Sequence, residues 1–497
     1  MFGSSIVVIS HPRVFVLFYY AGRHSSEAGV RTCAAMADDL LRALENAVGT
    51  ERVITDPASR AAHETDWTGR FHGAAVAVVR PGTVAEVAAV IAVCRAHRVG
   101  IVAQGGNTGL VGASVPRHGE VVLDLRRFDT IEPVDVAARQ VTVGAGVRLA
   151  DLQRAATAAG LRYAVDFGAR DTATVGGSIA TNAGGINLLR FGGTREQVVG
   201  IEAVLGTGAV VSRLGGLLKD NTGYHLPGLL CGSEGTLGVI TRARLRLVPR
   251  HAERVTALVG MGSIDDAVAA VVAVRDRVAS LEAAEIVLAD GVDLVCRSFD
   301  WPAPFERSWP AYLVFEAAAD HDPADELAAA LAGIGGLGDV AVATMADGSA
   351  RRDALWRYRE HHTLALRGLG PTVKLDVTVP LHAIGPIMTD LPAAVRAVDP
   401  AAHTWLFGHV ADGNLHVNIT GHRADDAAHV LTLEGVVLEH VVALGGCISA
   451  EHGIGVLKAP WLHLDRSPDE IAAMRAIKHA LDPDGVLNPG VLFEEDR

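Results

Sequence analysis

Two histidines seven residues apart, His409 and His416, bracket an Asp-Gly pair in the stretch GHVADGNLHVNIT (408–420). Imidazole is the commonest metal ligand and titrates near neutral pH, so it matters whether the chain brings the two rings together. Asp-Gly between alternating apolar residues is the sequence of a two-residue hairpin turn. With Asp412-Gly413 as that turn, Ala411 faces Asn414, Val410 faces Leu415 and His409 faces His416. Directly opposed residues have Cβ atoms about 4.5–5.5 Å apart. Alternation puts Asn418 on the histidine face and Leu406, Val410, Leu415, Val417 and Ile419 on the other. One face is core, and the other shows imidazole, imidazole and amide, a spacing suited to a shared cation. A solvated hairpin face with two incidental histidines is the alternative.

A carboxylate joining the pair would give a His₂-Glu set, which suits zinc with one position open. GGCISAEHGIGVLK (445–458) supplies Glu451 beside His452, after a short strand and before a glycine turn. A second polar group lies between 353 and 380. DALWRYREHHTLALRG is helical in character, and Arg359 and Thr363, four apart, share one face. His361 and His362 read as surface residues. TVKLDVTVP alternates, with Lys374, Asp376 and Thr378 on one side and Val373, Leu375, Val377 and Val379 on the other. Lysine is scarce: Lys219, Lys374, Lys458 and Lys478 stand against forty arginines. A lysine in mid-strand, with Arg359 and Thr363 converging on it, would receive a carboxylate. The bland reading is a surface helix beside an exposed strand.

Glycine-dense loops make up the third group: QGGNTGLVG (104–112), TVGGSIATNAGG (174–185) and GSEGTLGVIT (232–241). Backbone N–H groups in such turns form anion-binding concavities, and glycine lets a phosphate approach closely. No GK[ST] follows the first loop, and G-x-G-x-x-G before a helix is missing, so neither a Walker loop nor a nicotinamide fingerprint is present. Three loops within one region call for a large ligand, and a dinucleotide held along its length would explain them.

These loops, with KDNTGY (219–224) and SAEHGIG (449–455), resemble those of the FAD-linked D-2-hydroxyacid dehydrogenases, members of the vanillyl-alcohol-oxidase-like flavoproteins, over about residues 50–497. The resemblance implies an α+β fold: a two-subdomain FAD-binding domain, an α+β substrate-binding domain, and a C-terminal segment completing the active site. It places the FAD pyrophosphate on Gly105, Gly106, Asn107, Thr108 and Gly109. Thr174, Gly177, Ala183, Gly235, Val239, Ile240 and Asn488 complete the cofactor set. Covalently flavinylated relatives use a histidine in the first loop; Asn107 and Thr108 here imply non-covalent FAD. It also makes His409, His416 and Glu451 ligands of a divalent metal, zinc foremost, and His452 the base. Arg359, Thr363 and, eleven residues on, Lys374 resemble the distal-carboxylate site of the D-2-hydroxyglutarate dehydrogenases, with Asn418 joining the substrate contacts. The expected reaction is oxidation of a D-2-hydroxy acid, foremost D-2-hydroxyglutarate to 2-oxoglutarate. D-Lactate or glycolate is the near alternative and a redox-silent zinc hydrolase the remote one.

The whole composition is compatible with this. The chain has 497 residues, 49% hydrophobic and 20% charged, with formal net charge −13 and no basic block, which argues against nucleic acid as a partner. Five scattered cysteines without a CxxC pair exclude a disulfide framework or a cysteine-ligated iron–sulfur cluster and suit a reducing cytoplasm, with peripheral membrane association left open. Electrons must therefore leave to a partner such as an electron-transfer flavoprotein or a quinone. Oligomeric state has no visible signature, and a homodimer is one expectation.

Elements to position these groups can be read coarsely. Residues 75–250 alternate strands and helices, among them the helix TVAEVAAVIAVCRAHRVG with Gly100 just past its end. Residues 250–400 are alanine-rich with helix-like patterns. Ser467 or Asp469 caps a final helix. The expected division is an FAD-binding domain over 36–250, a substrate-binding domain over 251–440 and a C-terminal segment over 441–497. Residues 1–35 form an atypical apolar extension, in which no stretch is long enough to span a bilayer as a helix. Translation beginning near Met36 is the favoured explanation and a secretory signal the other.

Overall fold

The computed structural model describes residues 5–11, 14–20 and 27–493, with side chains from Met36 onward. Strands Ser5–His11 and Val14–Tyr20 pair antiparallel. The start-site and signal expectations fall on residues 1–35, whose side chains lie outside the described residues. The helix Glu27–Val48 buries Leu40, Leu41, Leu44 and Val48 in a core shared with the helix Val84–His97.

That core lies on a four-stranded sheet in which Ala77–Val79, Val121–Asp124 and Ile101–Gln104 run parallel and Val53–Ile54 pairs antiparallel at the edge. Parallel strands covered on both faces read as apolar runs, as AVV does here and VVL does before the buried Asp124. The Thr83 hydroxyl accepts from Glu86 N to start the connecting helix. The helix stops at Arg98, which takes the left-handed conformation expected near Gly100. A second, antiparallel sheet has the order Val210–Arg213, Val198–Leu205, Gly238–Arg246, Gln140–Gly144. Successive residues of its third strand point to opposite faces, so Val239 enters the first core and Ile240 a second one around Leu149 and Leu152.

The third unit is a seven-stranded antiparallel sheet: Leu337–Thr344, Glu253–Met261, Ala311–Ala319, Leu281–Leu288, His403–Gly408, Asn414–Thr420, Val373–Thr378. Helices Ile264–Arg277, Ile384–Val398 and Ala427–Ala443 pack on one face, and Ala289–Phe299, Ser349–Glu360 and His362–Arg367 on the other. The helix-like reading of 250–400 is corrected here, since five of the seven strands come from that region. Ala311–Ala319 is buried at every position, and a strand covered on both faces loses the alternation that identifies strands in sequence.

The hairpin also differs from expectation. Phe407, not His409, opposes His416, and Trp405 opposes Asn418. The connection is His409–Gly413, in which Gly413 has φ 83° and a Cβ would lie 2.1 Å from Val379 O. A register displaced by two residues keeps each side chain on its face, so Leu406, Val410, Leu415, Val417 and Ile419 are buried in one core as expected.

Ser467 caps the last helix, Pro468–Leu481, in a capping box with Glu470. The chain then returns to the first sheet, where Leu487 bridges Ile101. Buried Asp482 accepts from Val486 N (3.2 Å) and Leu487 N (2.8 Å) and pairs with Lys478, whose Nζ also donates to Thr236 O (2.8 Å) and Leu487 O (2.7 Å). Among the described residues no helix is long and apolar enough to cross a membrane. Breaking a buried ion pair by removing one partner costs roughly 3–5 kcal/mol. Asp482→Ala is therefore expected to lower the thermal midpoint of the protein, followed by differential scanning calorimetry, with Asp482→Asn falling between it and the parent.

Candidate functional site

His409 leaves the end of its strand, yet its ring stands edge-on to His416 with centroids 5.3 Å apart. Each ring has a buried carboxylate behind it. His409 Nδ1 donates to Glu285, and His416 Nδ1 lies 3.3 Å from Asp376 Oδ1. Glu451 Oε1 is 3.8 Å from His409 Nε2, and the ligand atoms of His409, His416 and Glu451 all lie within 4.8 Å of one another. A histidine with one nitrogen held by a carboxylate and the other turned to a shared point is the arrangement metal-binding imidazoles adopt. Asp376, His416 and His452 satisfy the same distance limit. Asp376 is already saturated, however, since its oxygens accept from Glu451 N (2.6 Å), His452 N (3.1 Å) and Asn414 Nδ2 (2.7 Å). The residues fit a metal at the first set. Asp412, expected at an exposed turn, is half-buried, and burial pushes its carboxyl up to about 6.

Burial opposes the charge of Asp376, but His452, His416 and Lys458 around it hold its carboxyl well below the usual range. Burial also pushes the His452 imidazole down, with Asp376 opposing, which favours the neutral, proton-accepting form. The site meets the FAD-side loops through Glu451: its Oε1 accepts from Gly185 N at 2.6 Å, and a Cβ on Gly184 would lie 2.5 Å from that oxygen. Buried Glu234 makes a second tie, accepting from Ile454 N and Gly455 N, each at 2.8 Å.

The glycine loops converge. A Cβ on Gly105 would lie 2.1 Å from Thr174 Oγ1, and one on Gly106 2.1 Å from Thr172 O. Gly177 N bonds the Thr174 hydroxyl, Ala183 O accepts from Thr194, and Asn488 Nδ2 bridges Glu234 O and Ala113 O beside Gly235. Asn107, with φ 51°, spends its side chain on Ala62 O, Thr65 O and Ser114. Next to Thr108, Gly109 has no protein atom nearer its Cβ direction than Ser114 Oγ at 3.8 Å. No packing demand accounts for that glycine, and the open space beside it fits a phosphate. Val239 and Ile240 have buried side chains, so only their backbone can face a cofactor.

Two rows cross the hairpin and its neighbour on one sheet face: Phe407–His416–Asp376 and Trp405–Asn418–Lys374. Rows two residues apart lie about 7 Å from each other, which brings Lys374 and Asn418 beside the histidines. The Asn418 amide and the Thr363 hydroxyl make no hydrogen bond among the described residues. The helix breaks at His361, and Arg359, before the break, turns its Nε to Glu285 Oε2 (2.6 Å) and its guanidinium over the Phe407 ring (4.8 Å). Lys374 and Arg367 instead flank the Trp67 ring, at 5.3 and 4.1 Å, without a carboxylate partner among the described residues. Burial and Arg367 push the Lys374 ammonium down. Arg359 and Lys374 thus have different ring neighbours and stand as two cationic groups on one sheet face. The surface reading of His362 is corrected. It is 1% exposed, packs on Phe407, and burial pushes it down to about 3. His361 is half-buried against Phe299 and Trp301.

Glu285, Asp376, Glu234, Trp67 and Arg367 were not singled out from sequence. The available signal was an acid inside an apolar strand, LEAAEIVL for Glu285, because a buried charge demands a partner. A separate cavity of about 350 Å³ is lined by Arg162, Arg170, Arg254, Arg352, Asp166 and Glu316. Its arginines are already paired with carboxylates.

Comparisons with known proteins bear on the family and the fold. The family models described as FAD binding domain and as FAD linked oxidases, C-terminal domain, match residues 75–213 and 250–492. The chain is 38% identical over 467 residues to the D-2-hydroxyglutarate dehydrogenase of Xanthomonas citri pv. viticola, covering 92% of this chain and 98% of that one. It is 34% identical over 460 residues to the mitochondrial D-2-hydroxyglutarate dehydrogenase of Bos taurus, covering 92% and 84%. Among solved structures, p-cresol methylhydroxylase with substrate bound superposes with TM-score 0.74 at 16% identity over 93% of this chain and 97% of that one. The 4-ethylphenol oxidase from Gulosibacter chungangensis gives 0.71 at 19% over 93% and 98%. At those identities the structures share the fold.

Burial raises the Glu234 carboxyl from 4.5 to about 7 against the two N–H groups it accepts from. The folded protein then holds a proton that the unfolded chain releases, so between pH 4.5 and 7 this group's contribution lowers stability as pH rises. Glu234→Gln is expected to flatten that part of the thermal-midpoint-against-pH curve. Parallel curves for the two proteins would contradict the assignment.

Proposed function

Since the chain belongs to the FAD-linked oxidase family that includes the D-2-hydroxyglutarate dehydrogenases, we propose that it oxidises D-2-hydroxyglutarate to 2-oxoglutarate. The observation that carries this reading is the shared face: His409, His416 and Glu451 in one cluster, His452 beside it, and Lys374 and Asn418, without a hydrogen-bonding side-chain partner among the described residues, one row away, with Glu451 touching the glycine-rich loop at Gly185.

His409, His416 and Glu451 would hold a divalent cation, zinc foremost, which would supply Lewis-acid polarisation of the substrate's hydroxyl. Non-covalently bound FAD would supply the hydride-accepting chemistry. His452 accepts the hydroxyl proton at its ring nitrogen, and Asp376, bonded to the His452 N–H, fixes the backbone that carries it. Lys374, with Arg359, Thr363 and Asn418, orients the distal carboxylate, and Arg367 and Trp67 close the rim. Gly105, Gly106, Asn107, Thr108 and Gly109 take the pyrophosphate, while the 174–185 and 235–240 loops and Asn488 hold the rest of FAD. Electrons would leave to an electron-transfer flavoprotein or a quinone. A reducing compartment such as the cytoplasm suits the free Cys94, Cys231, Cys296 and Cys447. The zinc-hydrolase reading falls with the family assignment.

The test is anaerobic titration of the yellow protein with D-2-hydroxyglutarate, D-lactate and glycolate, read as flavin bleaching. D-2-Hydroxyglutarate should bleach fastest, and chelator treatment should slow it. A hydrogen bond to a charged group is worth roughly 1.5–3 kcal/mol, so Lys374→Ala should raise KM for the dicarboxylate about 10- to 100-fold and leave D-lactate unaffected. An equal effect on both substrates would favour the monocarboxylate reading. His452→Ala should lower the bleaching rate about 10²- to 10⁴-fold.

A further inference from the structure

Glu285 is 1% exposed and lies in mid-strand on the sheet face that holds the histidines. Its two oxygens serve two partners: Oε1 accepts from His409 Nδ1, and Oε2 from Arg359 Nε at 2.6 Å. Arg359 stacks on Phe407, which opposes His416 across the hairpin. Its terminal guanidinium nitrogens make no hydrogen bond among the described residues, so they remain free for a ligand while Nε stays on Glu285.

We infer that Glu285 is a positioning residue coupling the two ends of the substrate site: it sets the His409 ring for the metal and aims Arg359 at the distal carboxylate. This rests on the function proposed above and adds to it. A single buried side chain links recognition of the second carboxylate to the geometry of the metal ligand 124 positions away. A dicarboxylate engaging Arg359 then steadies the ring that orients the reacting hydroxyl, whereas a monocarboxylate leaves that arm unused. Removing a partner that orients a metal-binding histidine lowers metal affinity about 10- to 100-fold.

The test measures zinc affinity by chelator competition, and flavin-bleaching kinetics with D-2-hydroxyglutarate and D-lactate, in the FAD-loaded parent, Glu285→Gln and Arg359→Met. Glu285→Gln should weaken zinc about 10- to 100-fold and shrink the dicarboxylate preference in the same protein. Arg359→Met should weaken zinc severalfold with no substrate present, which a residue that merely contacts substrate would not do. FAD content and visible spectra establish that each variant is folded. If Glu285→Gln does not retain FAD, the Arg359→Met zinc measurement alone decides. Parent-like zinc affinity in Arg359→Met, or in a folded Glu285→Gln, overturns the coupling. A parent that binds no zinc or is not bleached by D-2-hydroxyglutarate overturns the underlying function instead.

Discussion

Asp376 is the constraint on which the site is organised. A carboxylate removed from water is tolerated only with its charge compensated and its lone pairs filled, and here two backbone N–H groups, an amide and an imidazole do so. Those donors come from two separate parts of the chain: the hairpin strand Asn414–Thr420 and the Glu451-His452 turn. Satisfying one buried acid therefore fixes the relative placement of the proton acceptor and of two groups in the ligand cluster. Lys458, buried behind it, donates to the Asp376 carbonyl at 3.0 Å and anchors the same strand from the other side.

The scarce lysines fall into place around this arrangement. Lys458 supports Asp376, Lys478 clamps the returning chain end, and Lys374 stands on the site face without a carboxylate partner among the described residues. Lysine's compact ammonium on a flexible stem can reach several carbonyls at once, as Lys478 does, where a planar guanidinium would impose its own geometry. Lys219 lies in an exposed loop, and nothing in the structure explains it.

What could be read from sequence was local. The cap at Ser467, the alternating strand with Lys374, the faces of the hairpin and the glycine loops each depend on neighbours within a few positions. The seven-stranded sheet was hidden because helices cover both its faces and erase the polar half of the pattern. The hairpin register was misread because Asp-Gly suits a tight turn, whereas Gly413 is needed to pass under Val379. His362 is buried by contact with Phe407 and Gly291, residues far away in sequence. Glu285 stands out locally only as an acid in an apolar strand, and its two partners come from other elements.

The return of the chain end to its first sheet has a consequence for biosynthesis. A nascent polypeptide emerges from its amino end, and domains generally fold as units in that order. Here Leu487 bridges Ile101 and Asn488 seals the turn at Glu234, so the cofactor half lacks its closing seam until residues 487 and 488 have been made. The groups that would perform the chemistry emerge just before that seam. A chain interrupted before His409 thus lacks both the seam and the clustered groups.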